Sequence, residues 1–485
     1  MLHRAITDDN VTMALPKHRF VYIASILMLL GLISTPIALA DWRSSLPNLG
    51  NPVDQIISKQ QEQEIGSQIF EQLRAQNQIL QDPLLEQYIS DLGARLVAAD
   101  PETQFPPNFV ILKSPAINAF VVPGGHVAIF SGLMLATEKE NELAGVMAHE
   151  LGHASQRHIA QSIASQAGNN LTAAAGLIAG ILLGLADPQL GAAAATAGMA
   201  GAAQRQINYT RMHEREADRF AIQTMRHAGY NPEGVVDFFT TLQRQRNRHT
   251  SQALAYLQTH PLTSERISSA QSIIESLPDR DMGREDSRDF QLARARLAAL
   301  SGVRRLNTEH ELAASYFEAL RAIDQNADSA QQQLHTLLDS HPGALWFALP
   351  LMQLYLAEDD IDQANALLQA QQSLHPSNHA LLAIEVEIKL EQDQAELAYQ
   401  LMRQYTRDNP ENPQYALLTA RAAEQAGRNL DHHEAMGRYF YLGGNLVAAH
   451  QEYRTALALS HDRPQAQARL KARLDQIEEQ AEQQQ

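Results

Sequence analysis

The chain of 485 residues contains no cysteine. Disulfides are therefore excluded, as is a lipid-anchoring thiol behind an export signal, and any zinc would have to be held by histidine and carboxylate. Positive charge is scarce: 38 Lys and Arg face 55 Asp and Glu, a net charge of −17. So acidic a body is a poor partner for nucleic acid or anionic lipid headgroups. Also missing is an apolar run of the roughly 20 residues that a membrane-spanning helix needs. Two stretches come near that length. The first runs from Phe20 to Ile33, with Lys17 and Arg19 ahead of it and Ala38-Leu39-Ala40 behind it. That is the layout of a secretory signal cleaved after Ala40, although Asp8 and Asp9 are unusual there and point to Met13 as the translation start. Removing residues 1–40 leaves 35 basic and 53 acidic groups, a net charge of −18. The second stretch, residues 171–203, has Asp187 as its one charge, and Asp187-Pro188 divides it into two pieces. Each piece is short for a span, which leaves a buried helical hairpin, or a lid that dips into a bilayer surface or covers a metal site.

What is present is mostly helical pattern. Residues 55–99 carry two amphipathic helices, with apolar positions recurring every three and four residues. The stretch "FVILKSPAINAFVVPGGHVAIFSGLM" reads as a small antiparallel sheet turned at Pro123-Gly124-Gly125. Helical pattern resumes at Lys139 and continues to about Leu277. The charged stretch "PDRDMGREDSRD" then marks a boundary. This predicts a signal at 1–40, a mostly α domain with one small sheet at 41–277, a linker at 278–304 and a second helical domain at 305–485.

That last region repeats. His341-Pro342, His375-Pro376 and Asn409-Pro410 are evenly spaced, and Ala330, Ala364 and Ala398 recur at the same interval. A period of about 34 residues with a small residue in the second helix and a closing proline is the tetratricopeptide signature, and such arrays bind segments of other proteins. The unit "GNLVAAHQEYRTAL" (444–457) fits the second-helix pattern best, while the expected first-helix tryptophan and glycine are missing.

The chemistry lies in "VMAHELGHASQRH", residues 146–158. On a helix, His149 and His153 share a face and can reach one ion, while Glu150 is rotated beside them, close enough to take a proton from water. A third ligand is required. The helical stretch "NYTRMHEREADRFAIQTMRHAGY" offers Glu214 on the stripe of Ala217, Ala221 and Met225, with Asp218 one turn on as an acceptor that holds a histidine ring. Glu216 and His213 are rival ligands on other faces.

"HELGH" (149–153), followed by "EREAD" (214–218), resembles the gluzincin peptidases of the CAAX prenyl protease and HtpX type. The resemblance rests on residues 117–266 and implies one zinc per chain on His149, His153 and Glu214, with Glu150 as base. It also sharpens "THPLTSERI" (259–267): His260 either stabilises the oxyanion or occupies the open zinc position and keeps the enzyme latent, and Arg266 anchors that loop or the substrate. The segment 120–130 supplies a strand edge for an extended substrate, or is a structural hairpin. With its export signal and repeat tail, the chain is similar to periplasmic members of the family. These imply stalled outer-membrane β-barrel precursors as clients and the machinery that inserts them as partner. The rival reading is a non-proteolytic chaperone or adaptor with a structural zinc.

Overall fold

The computed structural model describes residues 57–100, 107–167, 200–247, 252–277, 283, 287–376, 378–410 and 412–483. The expected signal and most of the apolar stretch 171–203 lie outside them. Among the described residues no helix is long and apolar enough to cross a membrane.

Both expected N-terminal helices form. Ser58 opens α1 (Lys59–Ala75) with a capping box: its hydroxyl accepts from the Gln61 N–H and the Gln61 side chain accepts from its own. Asp82 opens α2 (Pro83–Ala98) by accepting from the Leu85 N–H, ahead of a proline in the first turn. The sheet differs from expectation. Strands β1 (Phe109–Leu112), β2 (Ala119–Val121) and β3 (Val127–Phe130) lie in the order β1-β3-β2. The hairpin β2–β3 is antiparallel as expected, but β1 runs parallel to β3. Alternation of apolar residues fixes which face is buried, not the strand's direction. Val127, Ala128 and Ile129 are wholly buried, so β3 takes the centre, paired on both sides. The outer side of β1 is closed by residues 78–80, where the Leu80 N–H donates to Ile111 O and the Lys113 N–H to Gln78 O, both at 2.8 Å. That leaves β2 as the outermost strand on the other side.

After α3 (Ser131–Ala136) comes α4 (Glu140–Ser155), which carries the His-Glu-x-x-His motif. Every residue of α4 from Glu140 to His153 is buried, so it has no solvent stripe and its polar groups need internal partners. Glu140 accepts from the Tyr88 hydroxyl at 2.9 Å, Glu142 from the Thr241 hydroxyl at 2.9 Å, and the Asn141 side chain from the Asn231 N–H at 3.1 Å. Around it lie α5 (His158–Ala167), α6 (Ala200–His227), α7 (Glu233–Asn247), α8 (Gln252–Thr259) and α9 (Ser264–Glu275).

Part of the expected linker 278–304 is core rather than spacer. Residues Arg288–Leu300 form helix α10, in which Phe290, Ala293, Ala295, Leu297 and Ala298 are wholly buried. Arg296 of α10 binds both carboxylate oxygens of Asp82, with contacts of 2.7–2.9 Å. The charged stretch before it disguises a helix whose apolar positions begin at Phe290.

Ten helices follow: α11 (Glu311–Ala322), α12 (Ala327–Ser340), α13 (Leu345–Ala357), α14 (Ile361–Leu374), α15 (His379–Glu391), α16 (Ala395–Asp408), α17 (Pro413–Gln425), α18 (Asn429–Leu442), α19 (Leu446–Ala458) and α20 (Pro464–Gln483). Helices α12, α14, α16 and α18 begin at equal intervals, at Ala327, Ile361, Ala395 and Asn429, and Ala330, Ala364 and Ala398 are fully buried in the first three. They form a helical solenoid of the expected period. In the last matching unit, 444–457, Ala449 and Ala456 are buried, and a Cβ on Gly437 of α18 would lie 2.9 Å from the Tyr453 ring. The first-helix glycine is thus present there as Gly437. One continuous core runs from Leu84 of α2 to Ile388 of α15, so the first repeats share their apolar interior with the helices around α4.

Candidate metal centre

Two helices and a loop end bring the predicted ligands together. Gly152 lets α4 and α6 approach: a Cβ there would lie 3.2 Å from Ala217 Cα and 3.1 Å from the Phe220 ring. This close crossing puts Glu214, 2% exposed, against the two imidazoles. His149 Nε2 and His153 Nε2 are 3.1 Å apart, and Glu214 oxygens lie 3.5 Å from the first and 3.4 Å from the second. His260, just past the end of α8, adds Nδ1 at 3.0 Å from Glu214 and 3.4 Å from His149 Nε2. A tetrahedral ion with arms of about 2.0–2.1 Å sets its ligand atoms roughly 3.3 Å apart. Five of the six pairings among these four side chains fall at 3.0–3.5 Å. The donor set of three imidazoles and one carboxylate suits zinc.

The charge balance agrees. Burial disfavours an imidazolium, yet the hydrogen bonds to Asp218 and Glu214 lift His149 to about 9. Burial also works against the Glu214 carboxylate, but His260, His149 and His153 hold it well below its usual range. The pocket is thus built to hold positive charge between fixed negative groups.

The remaining expected residues are placed as follows. Asp218 Oδ1 lies 3.0 Å from His149 Nδ1, on the side away from the cluster. Glu150 is 1% exposed; its Oε1 has no hydrogen-bond partner and lies 3.4 Å from His260 Nε2. Arg266, expected to anchor either the loop or a substrate, is 3% exposed and bonded to Asp218, Glu214 and the Pro261 carbonyl. With four of its five N–H groups so engaged, it fits the loop anchor of the two expected roles better than a substrate contact. The rivals stay outside the cluster: Glu216 is half-exposed and His213 stacks on His158. His158 contacts the back of His153. The sequence signalled it only as one more histidine after the motif.

The description of peptidase family M48 matches residues 83–274. Along almost the whole chain there is similarity to the β-barrel assembly-enhancing protease of Escherichia coli strain K12, 32% identical over 455 residues, 91% of this chain and 92% of that protein. The putative β-barrel assembly-enhancing protease of Vibrio cholerae is 33% identical over 447 residues, 89% and 92% of the two chains. A shorter match, 29% over 202 residues and 41% of this chain, is to 55% of the mitochondrial metalloendopeptidase OMA1 of Schizosaccharomyces pombe. At this identity and coverage, and with a buried His-His-Glu cluster able to hold one zinc ion, the chain belongs to peptidase family M48, as a zinc metalloendopeptidase of the β-barrel assembly-enhancing group.

Proposed function

We propose that this protein is exported to the periplasm, its signal removed after Ala40, and cleaves outer-membrane β-barrel precursors that have stalled in assembly. In this reading His149, His153 and Glu214 hold the zinc. The observation that carries it is Glu150 Oε1, buried and without a hydrogen-bond partner beside the ligand cluster. A carboxylate oxygen kept out of water and left unpaired is costly, and native structures keep such groups where a site uses them. The ion, when bound, supplies Lewis-acid polarisation of a carbonyl and lowers the pKa of water. Glu150 takes the proton from the attacking water and returns it to the leaving amine. An extended substrate lies along β2, whose Ala119 and Val121 alternate with residues bonded to β3 and turn their backbone groups outward. This moves the expected platform from residues 127–129, which are paired on both sides.

His260 supports a latent resting state. Its Nδ1 sits at the corner of the cluster that an attacking water would need. The ring is backed by Tyr256, 4.7 Å away and stacked. The same closed set of four favours a second reading, in which the solenoid acts as a chaperone or adaptor without cleavage. A cleft of about 930 Å³ between α2 and the array, lined by Glu86, His379, Glu387, Tyr415 and Arg421, is open to a client segment. Contact of residues 171–203 with a bilayer surface remains part of the proposal, tested by liposome flotation with and without residues 175–200.

Glu150→Gln tests the central claim. Zinc stays stoichiometric by elemental analysis, while cleavage of an unfolded β-barrel precursor falls by about 10²–10⁴-fold. Undiminished cleavage would remove Glu150 from the chemistry. A precursor matured normally by this variant would establish the adaptor role as independent.

A further inference from the structure

We propose that His158 is a positioning residue for the metal site, holding the second ligand imidazole, His153, in the tautomer and orientation that binds the ion. The two ring nitrogens of His153 have different neighbours. Nε2 belongs to the cluster, and Nδ1 lies 2.9 Å from His158 Nδ1. Two ring nitrogens at that distance bond only when one carries the hydrogen and the other a lone pair. The far nitrogen of His158, Nε2, lies 3.3 Å from Glu216 Oε2, an acceptor. With its hydrogen on Nε2 facing that carboxylate, a neutral His158 presents a bare Nδ1. His153 must then donate from Nδ1, which leaves its Nε2 lone pair for the metal. Asp218 does the same for His149. A neutral imidazole does it without adding another buried carboxylate beside Glu150, Glu214 and Asp218.

The fold fixes His158 from two further directions. Its ring stacks on His213 at 3.9 Å with the planes 12° apart. The residue before it, Arg157, has φ 55, left-handed backbone that a side chain seldom adopts. Arg157 is buried, and its guanidinium donates to Glu62 of α1, from Nε at 2.8 Å, and to the Ile57 carbonyl at 3.1 Å. The turn between α4 and α5 is thus pinned to the start of α1 in the one shape that returns the chain under His153. A conformation so costly persists where the surroundings hold it and position a functional group.

The test is zinc affinity, measured on the full chain by competition with a chromogenic chelator. His158→Phe keeps a ring against His213 but removes the acceptor; His158→Asn keeps an acceptor at the Nδ1 position. Affinity falls about 10–100-fold in His158→Phe and is largely restored in His158→Asn. The visible spectrum of the cobalt-substituted protein shifts in the first and not in the second. Melting of the zinc-free variants serves as the fold control. Unchanged affinity in His158→Phe, or an equal loss in both variants, overturns the proposal. Should His158→Phe not fold, Glu216→Ala at its half-exposed site also weakens zinc binding, and no change there overturns it. Because the proposal rests on the ligand assignment, His153→Ala is the reference. Zinc lost there but not in His158→Phe rejects the role of His158 alone, whereas zinc retained in His153→Ala rejects the assignment.

Discussion

Arg266 donates to both carboxylate oxygens of Asp218, from Nε at 2.8 Å and from Nη2 at 2.7 Å. Its Nη1 lies 2.7 Å from Glu214 Oε2 and 3.1 Å from the Pro261 carbonyl. One guanidinium therefore ties together Glu214, Asp218 and the loop bearing His260. The planar fork does this because two acidic groups one helical turn apart on α6 face the same point.

Arg266→Ala takes the bidentate partner from buried Asp218 and one partner from Glu214, leaving only the histidines to balance them. Losing one side of such a pair costs about 3–5 kcal/mol, and Lys recovers only part of it, lacking the bidentate geometry. Denaturant unfolding of the zinc-free protein measures this loss, and zinc occupancy falls with it. Stability equal to the parent would contradict the anchoring role.

His260→Ala opens the fourth corner of the cluster while three ligands remain. Proteolysis of an unfolded precursor rises and zinc content stays near one per chain. A lower rate at full zinc content would reject latency and assign His260 to the oxyanion.

Val121→Pro removes an N–H that points away from β3, so the ladder between β2 and β3 is preserved. Cleavage of an extended substrate is lost, with zinc content and melting temperature close to the parent. Proline at Ile129, within the central strand, instead destabilises the whole sheet. Normal cleavage by Val121→Pro would place the substrate elsewhere.

His126 packs its ring on Phe70 at 5.1 Å, and its Nδ1 is buried without a hydrogen-bond partner. Burial first, and Arg74 second, lower it from 6.5 to about 4. Between those values the unfolded chain takes up a proton that the folded one refuses, so stability is complete above about pH 6.5 and is lost as pH falls toward 4. In His126→Phe the melting temperature depends less steeply on pH over that window. An identical slope would show that His126 takes up its proton alike in the folded and unfolded chain.

The sequence by itself determined the candidate donors. Helical periodicity is local, so the spacing of His149, Glu150 and His153 and the stripe headed by Glu214 were legible from residue order, as was the even recurrence of Ala330, Ala364 and Ala398 in the array. Three things were decided only by tertiary structure, because each depends on contacts between residues far apart in the chain. The direction of β1 appears only in its pairing with β3, from Phe109 with Val127 to Leu112 with Phe130. The helix at Arg288–Leu300 belongs to the core because Arg296 meets Asp82, 214 residues earlier. The outer ring nitrogens of His149 and His153 meet Asp218 and His158, with Arg266 in turn holding Asp218, and these contacts join helices that no spacing along the chain relates.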